Sequence, residues 1–403
     1  DLMTIIGDST SIKVLQQANV KKADLVIAVL HDEHINLLTG ILAKKLGAKK
    51  VIVRVNTREN LSKESWRIYQ DLGIDGIVSP EDIAAQEIIN LLKQNVATEA
   101  HDFAGGKLEL LMIKLEPNAI ANNKTLEEII ENYKHIDFRA LAIHRRQNTF
   151  IPKADDVFLE GDLVYVITKP HAIRELMQLS GKTKFNINNV MIVGGSRVGK
   201  LTAKRLENDL NIKIIEMDKS RSFELTNVLS NTLVVNADAR NVDLLEDEGI
   251  KDMDAFIAVT DNTETNILTC LQAKSFGVKR TIAMVENIDY IDISQNIGID
   301  TIINKKLIAA SYMVRYTLGG NVSSLKCLSG IDADIVEFVV QDGAAVTEKT
   351  INRLDMPEGA IIGGIIRGED SFIATGNFQI QAEDRVVVLV LPKTIQEVEK
   401  LFR

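Results

Sequence analysis

Residues 190–199, Val190-Met191-Ile192-Val193-Gly194-Gly195-Ser196-Arg197-Val198-Gly199, run from four strand-forming apolar residues into a glycine cluster. The stretch Lys200 to Leu210 follows with apolar residues at helical spacing, so the glycines lie between a strand and a helix. A dinucleotide-binding loop uses a first Gly for the tight turn, a second for close approach of backbone to pyrophosphate, and a third for helix-on-strand packing. Gly194 and Gly199 fill the first and third places, with Gly195, Arg197 and Val198 between them. Ser196 stands at the second, where its Cβ would hold phosphate off slightly and its hydroxyl would donate to it. The same letters approach a mononucleotide phosphate loop, but Leu201 occupies the place that needs a hydroxyl for magnesium. The next apolar run ends in Glu216-Met217-Asp218, an acid about 17 residues beyond Gly199 and so placed for ribose hydroxyls. Glu216 is the expected ribose ligand and Asp218 the alternative. A carboxylate there repels a ribose 2′-phosphate, which favours NAD(H) or an adenine nucleotide over NADP(H).

Working outward, strand-like runs recur at Val190 to Val193, Lys213 to Met217, Leu233 to Val235, Ala255 to Val259, Thr281 to Val285 and Thr301 to Ile303. Amphipathic stretches such as Glu264 to Phe276 separate them, and this alternation predicts a doubly wound, Rossmann-like parallel sheet. Ligands bind such sheets at the carboxyl ends of the strands. Ala237-Asp238-Ala239-Arg240 and Thr260-Asp261-Asn262-Thr263-Glu264 follow the third and fourth strands there. Asp238 would accept from an adenine amino group or a ribose hydroxyl, or serve as an ordinary helix cap. Arg197 would reach a terminal phosphate or a partner subunit, or lie on the solvated surface.

The same pattern appears twice. Displaced by 230 residues, Asp8 matches Asp238, Asn36 matches Asn266, Ala43-Lys44 matches Ala273-Lys274 and Gly47 matches Gly277. Further on, Gly73-Ile74-Asp75 matches Gly298-Ile299-Asp300, Lys124-Thr125 matches Lys349-Thr350 and Asp162 matches Asp384, the small slips being loop insertions. The fold class predicted is α/β, as tandem Rossmann-like doubly wound domains, each followed by a small α+β domain. The expected division is 1–94, 95–185, 186–320 and 321–403, with Pro170 and Ser180 to Asn189 as linker. Subtracting the offset from Val190 starts the first half about forty residues ahead of Asp1, so that its first two strands, first helix and glycine loop are expected there; a start without Met points the same way.

Composition narrows the function. The 403 residues carry a net charge of −9 and no long Lys/Arg run, which argues against nucleic acid held on a basic face. No apolar run reaches membrane-spanning length, no secretion signal is visible, and two cysteines, Cys270 and Cys327, are expected to be small buried hydrophobes of a reducing compartment. His31-Asp32-Glu33-His34 lacks a third ligand at metal spacing and is expected to be a polar helix start. Lys44-Lys45 and Lys49-Lys50 are expected to be a solvated basic face, and Gly319-Gly320 and Gly363-Gly364 to be turns. Ile288 to Ile297 and Leu307 to Leu318 carry more apolar residues than one sheet face buries, which predicts a partner surface.

The order large domain, small domain, large domain, small domain, with Gly-x-Ser-x-x-Gly, Ala-Asp-Ala and Thr-x-x-x-Glu-x-Asn in place, resembles the TrkA family. These are cytosolic regulatory subunits of Trk potassium-uptake systems, built from paired RCK (KTN) and TrkA C-terminal domains. The resemblance implies a non-enzymatic protein that binds NAD(H) or ATP/ADP and assembles into dimers and tetramers. It also implies docking on the cytoplasmic face of a potassium-translocating membrane subunit. By position it places ligand contacts on Gly194 to Gly199, Glu216, Asp238, Ala239 and Thr260, and in the first half on Asp8 and Arg54. Leu30, Met284 and Ser196 depart from the family pattern, which speaks against equal ligand binding by the two halves. The readings weighed against it are an NAD-dependent dehydrogenase, which needs an acid/base against the nicotinamide, and a ligand-sensing subunit of another transporter or channel.

Overall fold

β-branched and other apolar residues fill the short runs of this chain, and in the computed structural model they become strands. It describes residues 3–57, 59–94, 99–103, 105–145, 148–181, 186–314, 322–328, 333–391 and 394–403. Gly319-Gly320, the end of the Leu307 to Leu318 stretch and part of the expected linker lie outside these residues, as does the side chain of Cys327. The chain groups into two compact units, Asp1–Ile83 with Lys306–Gly319 and Ala84–Lys305 with Gly320–Arg403.

In the first unit β1 (Leu25–Ala28), β2 (Lys50–Arg54) and β3 (Gly76–Val78) form a parallel sheet in that order, with α1 (Ile12–Gln17), α2 (Glu33–Lys45), α3 (Lys63–Asp71) and the start of α4 (Pro80–Gln94) around it. Ala43 from α2 packs on Val51, Val53 and Val55, all fully buried. Lys44 is not part of a solvated basic face: its ammonium is 2.8 Å from Asp75, whose other contact is the amide of Val51 at 2.7 Å.

In the second unit, β4 (Glu99–Phe103), β5 (Leu108–Lys114), β6 (Phe138–Arg145), β7 (Asn148–Phe150) and β8 (Leu163–Thr168) make an antiparallel sheet in the order β4-β5-β8-β6-β7. Thr125 begins α5 (Leu126–Asn132) with a capping box, its hydroxyl accepting from Glu128 N–H while the Glu128 carboxylate accepts from Thr125 N–H. Pro170 is not linker. It opens a short turn into α6 (Ile173–Leu179), whose Leu176, Met177 and Leu179 are buried.

The parallel sheet that follows contains β9 (Asn189–Val193), β10 (Asn211–Glu216), β11 (Thr232–Asn236), β12 (Ala255–Ala258), β13 (Arg280–Met284) and β14 (Thr301–Ile303), in the order β11-β10-β9-β12-β13-β14. The crossovers are α7 (Arg197–Leu206), α8 (Lys219–Val228), α9 (Val242–Asp247), α10 (Thr263–Ser275) and α11 (Asp289–Asn296); α12 (Lys305–Val314) follows β14 in the chain and from Lys306 onward is grouped with the first unit. The chain reverses direction between β9 and β12, the position at which such sheets open a ligand crevice. Cys270 is fully buried in α10, and burial pushes its thiol pKa up.

A second antiparallel sheet, β15 (Val322–Cys327), β16 (Asp334–Val339), β17 (Ala360–Arg367), β18 (Asp370–Ile373) and β19 (Arg385–Val390), repeats the first one's strand order, and α13 (Ile395–Leu401) ends the chain. The two small sheets share one core: Leu110, Leu141, Tyr165 and Ile167 pack with Ile335, Ile366, Val387 and Leu389. Gly363 and Gly364 are not a turn. They lie inside β17 at an irregularity in its pairing with β19, and a Cβ on Gly363 would sit 3.0 Å from Ile167 and Leu141, one on Gly364 2.6 Å from Leu108. A two-residue glycine run there lets one sheet approach the other, a long-range demand that local pattern does not display. Each small domain also buries an equivalent carboxylate under an arginine. Arg145 grips Asp162 through Nε and Nη2 at 2.7 Å each, and Arg367 grips Asp384 at 2.8 Å each. No helix of the described residues is long and apolar enough to cross a membrane.

Candidate functional site

The loop between β9 and α7 is shaped by its glycines. Gly194 has φ near +100°, and a Cβ there would lie 2.8 Å from the amide nitrogen of Thr260, so both the turn and the neighbouring loop demand Gly. A Cβ on Gly199 would meet Gly194 O at 2.3 Å, and one on Gly195 would meet Leu225 at 2.4 Å. Ser196 caps α7: its hydroxyl accepts weakly from Gly199 N–H at 3.4 Å and donates to Val259 O at 2.6 Å. That hydroxyl ties the loop to β12 in this arrangement, where the sequence reading aimed it at phosphate.

Glu216, at the end of β10, is 6% exposed and turned back toward the loop. One carboxylate oxygen accepts from Gly195 N–H at 2.6 Å and the other from Asp218 N–H at 2.7 Å. Two backbone donors fix the carboxylate, and each oxygen keeps a lone pair for a further donor. Asp218 caps α8, accepting from Arg221 N–H at 2.7 Å.

A cleft of about 480 Å³ opens at the carboxyl ends of β9 to β12, within the usual size of small-molecule sites. Gly194, Glu216 and Asp218 line it from one side, Asp238 and Ala239 from the loop after β11, and Thr260 from the loop after β12. Gly195, Ser196, Arg197, Val198 and Gly199 are not among its lining residues. Arg197 begins α7 with its Nε buried and without a hydrogen-bond partner among the described residues. Asp238 is not a helix cap, since Asn241 caps α9. Its carboxylate instead accepts from the Arg240 guanidinium through both oxygens and from Arg240 N–H, contacts that hold its pKa below the usual carboxylate range. Thr260 donates its hydroxyl to Asn266 Oδ1 at 2.7 Å, and Asn266 Nδ2 donates to Thr260 O and Met284 O, clamping the ends of β12 and β13.

The first half repeats the clamp and alters what surrounds it. Asn36 binds Leu30 N–H and donates to Leu30 O and Arg54 O. Leu30 brings no hydroxyl. Asp8 accepts from Thr10 N–H and the Thr10 hydroxyl, both at 2.8 Å, which lowers its pKa. Arg54 is ion-paired with Glu81 at 2.7 Å.

Sequence reading missed Arg221, and it quoted Met217, Arg240 and Asp261 within their segments without giving them a role; all four line the cleft. Their signal was position alone, beside the carboxyl ends of β10, β11 and β12.

The TrkA-N domain family matches residues 1–80 and 190–305, and the TrkA-C domain family matches residues 110–181 and 335–403. The Trk system potassium uptake protein TrkA homolog of Archaeoglobus fulgidus is 31% identical over 404 residues, spanning all of this chain and 91% of that protein. TrkA homolog 1 of Methanosarcina mazei is 30% identical over 413 residues with the same coverage. Among solved structures, one described as the GsuK channel bound to NAD superimposes with TM-score 0.58 at 17% identity, covering 99% of this chain and 70% of that one, and so shares the fold. With both family domains matched twice in the order of the internal repeat and full-length relatives at this identity, the chain belongs to the TrkA family.

Proposed function

We propose that this chain is a cytoplasmic, peripheral regulatory subunit that binds NAD(H), and also ATP or ADP, in its second large domain and thereby gates a potassium-translocating membrane partner. The division into 1–94, 95–185, 186–320 and 321–403 belongs to this reading. The observation that carries it is the Glu216 carboxylate, held by the amides of Gly195 and Asp218 at the mouth of a nucleotide-sized cleft. An anion so fixed is ready to accept both vicinal hydroxyls of a ribose with no further reorganisation. Gly194 permits the tight turn and Gly199 the close packing of α7 on the loop, while Asp238, Ala239 and Thr260 face the cleft from the other loops. In the first half Asp8 and Arg54 are the corresponding candidates. The curated relatives' name as potassium uptake proteins and the NAD in one structural neighbour's description accord with this assignment. Regulation rather than turnover accords with the naming of the relatives as Trk system potassium uptake proteins.

Calorimetric titration with NADH, NAD, ATP and ADP tests ligand binding, and failure of all four with folded protein overturns it. NADH offered with small carbonyl compounds is expected to remain unoxidised; turnover would favour the dehydrogenase reading. Co-purification with a potassium-translocating membrane protein tests the partner. Ile288, Ile293 and Ile297 on and beside α11 are each about half exposed. We assign this face to a homodimer or tetramer contact; light scattering that gave a monomer mass at micromolar concentration would remove it.

A further inference from the structure

The cleft holds two arginines in different states. Arg240 is locked to Asp238 by short contacts of 2.7 to 3.1 Å. Arg221 lies in the first turn of α8 and its guanidinium makes no hydrogen bond to a described residue. Its Nη1 is 4.0 Å from Glu216 Oε2 and 4.0 Å from Asp261 Oδ2, so it hangs between two carboxylates on opposite sides of the cleft. Neither carboxylate holds it firmly. Glu216 is already engaged by two amides, and Asp261 is 77% exposed and largely solvated. Arg221 is itself 46% exposed, so its donors are open to the cleft. Glu216 Oε2 is also the atom that accepts from Gly195 N–H, which places Arg221 within about 7 Å of the glycine loop's backbone.

We propose that Arg221 is the residue that senses the charge of the bound nucleotide, leaving Asp261 to hydrogen-bond a phosphate oxygen at the boundary between ribose and glycine loop. The inference rests on the nucleotide reading of the cleft. A guanidinium with five donors and no short partner gains more from a phosphate than from a solvated carboxylate at 4.0 Å. Asp261 then acts as a competitor that holds Arg221 across the mouth when no anion is present.

Opposite signs are therefore expected from the two ends of the pair. Arg221→Ala should weaken ADP and NADH by roughly tenfold or more, the lower part of the range for a charge-assisted hydrogen bond at a half-exposed site, and leave adenosine unchanged. Arg221→Lys should retain part of the affinity for ADP. Asp261→Asn should tighten ADP by a few-fold in the full chain and have no effect in the Arg221→Ala background. Titrations of ADP, NADH and adenosine against the wild type and the four variants, each variant with an unchanged melting curve, decide it. If the wild type binds ADP and Arg221→Ala binds it equally well, this inference falls and the nucleotide reading stands. If Asp261→Asn tightens ADP in both backgrounds, Asp261 repels the ligand directly and the competition is overturned. A wild type that binds none of the three overturns the nucleotide reading and this inference with it.

Discussion

Replacing Glu216 by Gln keeps the shape of the side chain and removes only its charge and one acceptor. The carboxylate is 6% exposed and takes the amides of Gly195 and Asp218 at 2.6 and 2.7 Å. A glutamine offers one oxygen, so one amide keeps a partner and the other faces an NH₂ group, donor against donor. Each charge-assisted bond of this kind contributes about 1.5–3 kcal/mol, and a buried donor left unmatched costs about 1–3 kcal/mol. A loss near 2 kcal/mol is the expected outcome after the loop relaxes. For a domain of this size that lowers Tm by roughly 5–10 °C. Ribose hydroxyls would also lose their anionic acceptor, so NADH affinity should fall by about 10- to 100-fold. Differential scanning calorimetry and NADH titration read the two effects separately. If the variant melts within a degree of wild type, Glu216 is not a strut of the glycine loop. If it melts low but binds NADH at wild-type affinity, the ribose contact lies elsewhere, on Asp218 or Asp238.

The small domains and the helix surface give three further tests. Asp384→Asn breaks a bidentate pair with Arg367 around an almost fully buried carboxylate that also accepts from Gln381 N–H at 2.8 Å. It should destabilise by about 3–5 kcal/mol in urea unfolding, whereas a change under 1 kcal/mol would contradict the burial argument. Gly363→Val pushes a branched side chain against Ile167 and Leu141 of the facing sheet, for which a loss of about 1–3 kcal/mol or more is expected; a neutral effect would show that the sheets separate freely. Burial pulls the Glu207 carboxyl upward, but donation from Lys204 and from Asn231 and Ser230 N–H outweighs it and holds the pKa below its ordinary value. Its contribution is thus complete above about pH 4.3 and is lost as pH falls through the lower folded value. Glu207→Gln should therefore be less stable than wild type at pH 7, with the gap narrowing below about pH 4 in acid denaturation; a gap independent of pH would assign the effect to packing.

The strands were legible because a parallel sheet covered on both faces demands unbroken apolar runs, and each run in the second half became a strand of the six-stranded sheet. The glycine loop was legible because its constraints are local: a positive φ at Gly194 and contacts within a few residues or with the adjacent strand end. What the sequence hid was determined by distance. Gly363-Gly364 read as a turn, since nothing near them announces that Leu108, Leu141 and Ile167 lie opposite. Arg221 looked like any polar residue in a helix's first turn, and only the fold sets it between Glu216 and Asp261.

The repeat separates scaffold from ligand surface within one chain. Parts that hold strand ends together are retained in both halves: Asn36 and Asn266 make the same clamp, Lys44–Asp75 recurs as Lys274–Asp300 at 2.8 and 2.7 Å, and Arg145–Asp162 recurs as Arg367–Asp384. Each is partly or wholly buried and satisfied at both ends, so losing one partner would strand the other, and divergence there is penalised equally in either half. Positions beside the clamps have diverged. Thr260 bonds Asn266 through its hydroxyl where Leu30 has none, and Arg54 pairs with Glu81 where the second half has Met284. Asp8 is braced by Thr10, while Asp238 is braced by the guanidinium of Arg240. Substitutions confined to the carboxyl ends of the strands leave the sheet intact and change only what its open end can hold. On the nucleotide reading proposed above, these rim differences predict unequal affinities of the two halves, with Thr260 against Leu30 and Met284 against Arg54 as the positions to exchange.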